Sequence, residues 1–182
     1  MEIERSATTL SLKQSAYIDS AAKKFLSGNC THTFPSPVAT TMLQQFEEIG
    51  VATTDLERAT MSEKPYLPLM GTLLWCTLTH PEASYYISYL CQFMHDPSLA
   101  AYEAATYVLA YLLGAKDIGL TFNKYEPEIV AYSDASWNKV PIPFGGHVVF
   151  YGGAAVSYAA RKVKIVPQSS AEADTAAYTK AA

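Results

Sequence analysis

The sequence predicts an α+β fold, a helical region followed by three antiparallel strands and a further helix. Three observations predict it. Apolar residues recur at helical spacing from 63 to 114, broken by Pro and Gly. Two β-favouring runs then flank Gly152-Gly153, a tight-hairpin signal because glycine accepts the positive φ such turns need. After Pro167, Ser169-Ser170-Ala171-Glu172-Ala173-Asp174 reads as a helix start, with a Ser cap and acids in the first turn.

The chain has 182 residues, 49% hydrophobic and 16% charged, which suits one folded domain or two small ones. A formal charge of −4 argues against a strong standalone nucleic-acid binder, which is usually basic, though it allows a local basic face. No apolar run approaches the roughly 20 residues needed to span a bilayer, and Met1-Glu2-Ile3-Glu4-Arg5 lacks a signal-sequence pattern. An intracellular protein without membrane contact is expected.

In the first segment, 1–27, Leu10 and Leu12 alternate with polar residues as a strand. Tyr17, Ile18, Ala21, Phe25 and Leu26 follow at helical spacing until Gly28 stops them. Residues 28–62 carry Pro35, Pro37 and many Ser and Thr, and read as a linker that Phe46 and Ile49 anchor locally. The third segment, 63–123, is the apolar heart. A helix is predicted over Leu67–Leu78, a capping box at Thr79-His80-Pro81-Glu82, and a second helix from Tyr85 to about His95. Ser98 caps a third helix ending at Gly114, and Ile118–Phe122 is a strand. The aromatics here sit at helical spacing and read as core, not as a base-stacking surface. His80 and His95 flank helices and are expected to be exposed or capping, with no catalytic part.

The last segment, 124–182, holds the candidate chemistry. Ile129, Val130 and Tyr132 suit a buried strand that delivers Asp134 at its end. Alone, Asp134 reads as a turn former bonding its own backbone. Strands over Gly145–Tyr151 and Ala154–Ala160 follow, then the helix with Glu172 and Asp174. A strand-end Asp and a helix-borne acid together suit a divalent cation such as Mg²⁺, which prefers carboxylate oxygens. Cys30, Cys76 and Cys91 form no Cys-x-x-Cys pair. Cys30 and His32 lack the remaining ligands of a zinc site, while Cys76 and Cys91 read as core thiols. No Gly-x-Ser-x-Gly elbow supports a Ser-His-Asp hydrolase.

Tyr132-Ser133-Asp134-Ala135-Ser136-Trp137, the Gly145-Gly146 strand and the Ser169–Asp174 run resemble the start of the ribonuclease H domain of copia-type retrotransposon polyproteins. There the pieces read roughly Tyr-Ser-Asp-Ala-Asp-Trp and Ser-Ser-Thr-Glu-Ala-Glu. Upstream, Tyr66-Leu67 through Trp75, Thr79-His80-Pro81-Glu82-Ala83 and Leu109 through Leu120 resemble the stretch joining the family's polymerase to that domain. Residues 1–27 are similar to the piece just downstream of the polymerase palm.

The resemblance implies a polyprotein fragment: the thumb and connection end of a reverse transcriptase joined to an incomplete ribonuclease H-like sheet. The family cleaves RNA in RNA–DNA hybrids with two divalent cations, which activate water and stabilise the leaving oxygen. Asp134 would bridge both ions, and Asp174 holds the second acid's position. Glu172, two positions away and so about 200° round the helix, is the weaker substitute. Arg161, Lys162 and Lys164 would neutralise hybrid phosphates, or form a merely solvated basic turn. The implied partners are an RNA–DNA hybrid and the rest of the polyprotein.

Three departures qualify it. Asp174 stands where the family has Glu, retracting the carboxylate by about 1.5 Å. The sequence reaches Ala182 before a third metal-binding Asp, and no Tyr-x-Asp-Asp polymerase motif occurs. The expectation is an inactive chain on its own, with an unpaired sheet edge at Ile129–Tyr132. The alternative reading is a non-catalytic remnant or interaction module.

Overall fold

In the computed structural model, residues 1–26, 34–38, 49–135, 144–162 and Ser169 are described. They form an α+β chain of helices and two three-stranded sheets. The chain divides into two compact units.

The first unit, Met1–Glu2 with Lys13–Gly119, is helical. Its helices are α1 (Ser15–Phe25), α2 (Asp55–Ser62), α3 (Tyr66–Cys76), α4 (Ser84–Leu90) and α5 (Leu99–Ala115). Single 3₁₀ turns at Pro81–Ala83 and Cys91–Phe93 flank α4. Ile18 and Phe25 of α1, Leu69, Leu73 and Cys76 of α3, Ile87 and Leu90 of α4, and Val108 and Leu112 of α5 close one core. Each such aliphatic side chain contributes about 1.5–3 kcal/mol by leaving water. Ala101 and Ala105 of α5 are buried in the same core. Burial also raises the Cys76 thiol to about 12, the environment of an inert core cysteine.

Three readings of this unit need correction. Part of the expected linker is helix α2, whose Thr54 side chain accepts from the Glu57 amide at 3.1 Å. The Thr79–Glu82 capping box does not form. Thr79 is buried and its hydroxyl donates to Gln14 Oε1 at 2.8 Å instead. His80 is not exposed: it is 1% accessible, and its Nδ1 donates to Glu82 Oε1 at 2.9 Å. Burial pushes the Glu82 carboxyl up, but hydrogen bonds led by His80 more than offset that and hold it low. His95 is exposed, as expected.

The second unit takes Ile3–Leu12 and the chain from Leu120 on. Strands β1 (Glu2–Arg5), β2 (Thr9–Lys13) and β3 (Leu120–Asn123) make one sheet in the order β1-β2-β3, with Leu10 opposite Phe122. Strands β4 (Ile129–Ala135), β5 (Phe144–Tyr151) and β6 (Ala154–Lys162) make the other, antiparallel in the order β4-β5-β6. Gly152 and Gly153 turn the β5–β6 hairpin with φ of 63° and 78°, as the glycine pair predicts.

Among the described strands β4 lies at the edge of its sheet, but it is not buried. Ile129 is 71% and Tyr132 61% exposed, because no described element packs over either residue. The expected helix from Ser169, which would follow β6, lies outside the described residues apart from Ser169 itself.

Candidate functional site

Asp134 stands next to last in β4 and pairs with Gly146 of β5, which in turn pairs with Ala160 of β6. Residues directly opposite one another in an antiparallel sheet share a face. Asp134 therefore has no side chain beside it on β5. Among the described residues a Cβ added at Gly146 would meet only the Ala159 carbonyl oxygen, at an ordinary 3.5 Å. The Asp134 side chain is exposed. An accessible carboxylate at a strand end, with a glycine opposite, is an oxygen donor that a hydrated divalent cation can approach.

The pleat sorts the other candidates. Phe144 pairs with Lys162 and Gly145 with Arg161, so the two basic residues project from opposite faces. Lys162 shares the face of Asp134, as do Tyr132 and Phe150, whose rings meet edge-on at 6.2 Å. Arg161 shares the other face with His147 and Ser157, which lie 3.4 Å apart across the strands. Both basic side chains are exposed.

Asp174, Glu172 and Lys164 lie outside the described residues, as do Cys30 and His32. Among the described residues no three His, Cys, Asp or Glu side chains gather as a metal site. Sequence reasoning placed Gly146 in a strand but gave it no part in the site. Its pairing with Asp134 becomes readable only once the β4–β5 register is fixed. Among the described residues no helix is long and apolar enough to cross a membrane.

Comparison with known proteins agrees with the motif pattern. The chain is 34% identical over 113 residues to the retrovirus-related Pol polyprotein from transposon RE2 of Arabidopsis thaliana, covering 60% of this chain and 8% of that protein. It is 26% identical over 184 residues to the Pol polyprotein from transposon TNT 1-94 of Nicotiana tabacum, covering 97% of this chain and 13% of that one. The chain is thus similar, over 60% of its length or more, to Pol polyproteins of retrotransposons. A putative transposon Ty5-1 protein of Saccharomyces cerevisiae is 33% identical over 116 residues, 60% of this chain and 38% of that protein. The similarity to the Pol polyprotein from TNT 1-94 runs nearly the whole length of the chain and so takes in both units. The chain spans 8% of the length of the RE2 polyprotein. No family model and no solved structure matches it.

Proposed function

We propose that this chain is the segment of a copia-type polyprotein in which the end of a reverse transcriptase meets the start of a hybrid-cleaving ribonuclease H domain. The observation that carries the reading is Asp134 at the end of an edge strand, facing Gly146 across an antiparallel pair. Bound there, Mg²⁺ would supply water activation and charge neutralisation in phosphodiester cleavage. The Asp134 carboxylate would be the first ligand, and Asp174 is the residue the family motif offers as the second.

Alone, the chain engages a hybrid without cutting it. Asp174 carries one methylene fewer than the family's Glu, and metal sites tolerate errors of only about 0.5 Å. Incubating the purified chain with Mg²⁺ and a labelled RNA–DNA hybrid tests this. Intact RNA is the expected result. Cleavage that disappears in Asp134→Asn would overturn the inactive reading, while keeping Asp134 as the metal ligand.

A further inference from the structure

The geometry points to Lys162, and not its neighbour Arg161, as the residue of β6 that contacts the phosphate backbone of a hybrid lying over Asp134. The inference rests on the hybrid-cleaving reading and narrows it to one face of the sheet. Side chains alternate along a strand, so two consecutive basic residues cannot both face the same duplex across the sheet. The register from Phe144–Lys162 to Val149–Ser157 is regular, and the one irregularity lies farther along, between Val149 and Phe150. β4 and β5 pair without a break from Ile129–Tyr151 to Ala135–Gly145. The alternation therefore carries unbroken from Asp134 to Lys162. Two side-chain contacts mark the faces independently: Tyr132 with Phe150 on the Asp134 side, and His147 with Ser157 on the Arg161 side.

Lys162 lies two strands across from Asp134 and two residues along. At about 4.8 Å between strands and about 3.4 Å per residue, their backbones are about 12 Å apart. Between them stand Gly146 and Ala160, which are too short to obstruct a duplex, while Phe144, directly opposite Lys162 on the same face, is buried and leaves the exposed lysine as the group that stands out beside it. A carboxylate-bound cation and an ammonium at that separation would grip different phosphates of one strand. Lys162 thus sets where the backbone lies, while Asp134 holds the metal. The ammonium is suited to this as a compact, mobile point charge.

Binding of a labelled RNA–DNA hybrid to the 182-residue chain, followed by fluorescence anisotropy across a salt series without Mg²⁺, tests it. Lys162→Ala and Lys162→Gln should each weaken binding several-fold and lower the slope of log K against log salt by about 1, the signature of one lost phosphate contact. Lys162→Arg should restore the slope. Arg161→Ala should leave affinity within about twofold and the slope unchanged. Lys162 variants that bind like the parent, or Arg161→Ala losing as much as Lys162→Ala, would overturn the assignment and spare the hybrid reading. A parent chain without salt-dependent hybrid binding would overturn both.

Discussion

The Tyr66 hydroxyl donates to the Leu90 carbonyl oxygen at 2.9 Å, joining the first turn of α3 to the last residue of α4 inside the helical core. Burial pushes the Tyr66 phenol well above its ordinary range, so the group stays a donor at any physiological pH. Tyr66→Phe keeps the ring and removes the donor, leaving a carbonyl short of a buried partner. The expected loss is about 1–2 kcal/mol in urea unfolding. An unchanged midpoint would mean that the Leu90 carbonyl already has water.

Glu57 gives the first unit a pH dependence. Its carboxylate accepts from the Thr53 amide at 3.0 Å and from the Leu99 amide at 2.9 Å, so it ties the start of α2 to the start of α5. These two backbone hydrogen bonds, Thr53 first, hold its pKa below the ordinary carboxylate value. The folded pKa is depressed. The resulting stability is therefore present above the unfolded value of about 4.3 and is lost as pH falls through the folded value. Glu57→Gln should be less stable than the parent at pH 7, and the gap should close below about pH 4. Thermal melts from pH 7 to 3 measure it, and a gap independent of pH would refute it.

The Gln14–Thr79 pair should behave non-additively. Both residues are buried and bond each other 65 positions apart in sequence. Thr79→Val alone strands a buried amide oxygen, at a cost of about 1–3 kcal/mol. The double variant Gln14→Leu with Thr79→Val removes both polar groups, and also the Gln14 Nε2 that has no described partner. It should be more stable than the Thr79 single variant. A double-mutant cycle decides the matter.

These residues show where the sequence was legible. α3 and α5 were readable because apolar periodicity, Asp96-Pro97-Ser98 punctuation and the Ser98 cap, which accepts from the Ala101 amide at 3.1 Å, are all local. α2 escaped because Met61 is its one buried residue, leaving no apolar stripe to see, and only the Thr54–Glu57 cap betrays it. His80 was misread because its surroundings come from elsewhere: the neighbouring Thr79 is drawn inward by Gln14, and Tyr111 joins Glu82 at 3.3 Å. At the candidate site, Asp134 was legible as a strand end. The division between Arg161 and Lys162 was not, because the strand read as ending at Ala160 continues through Lys162.

The β5–β6 hairpin depends on its left-handed glycines. Gly152 has φ of 63°, and a Cβ there would lie 3.3 Å from the Asn123 carbonyl oxygen. Gly152→Ala should cost about 1–2 kcal/mol from the left-handed backbone alone. Gly152→Asn should cost less, because Asn tolerates that region. Gly153 has φ of 78°, and a Cβ there would collide with the Glu126 carboxylate. The order of melting temperatures should therefore be parent, Gly152→Asn, Gly152→Ala. A Gly152→Ala variant as stable as the parent would be incompatible with a turn of this type.

Among the described strands β4 lies at a sheet edge, which makes it the first place to test for association in solution. Ile129–Ala135 contains no Lys and no Pro, and its pairing with β5 is unbroken, so Asp134 is its one charge set against edge-to-edge pairing. Ile129 and Tyr132 add exposed apolar surface to that open backbone. A lysine at either position introduces charge where two such edges would meet, and it removes little packing because neither side chain is covered. Ile129→Lys and Tyr132→Lys should each reduce light scattering and high-mass species at a given concentration, with melting temperature nearly unchanged. Tyr132→Lys also removes the ring contact with Phe150, so it should be slightly the less stable of the two. If neither variant changed the association, the sticky surface would have to lie elsewhere, on another exposed apolar side chain such as Leu67 or Trp75 of α3.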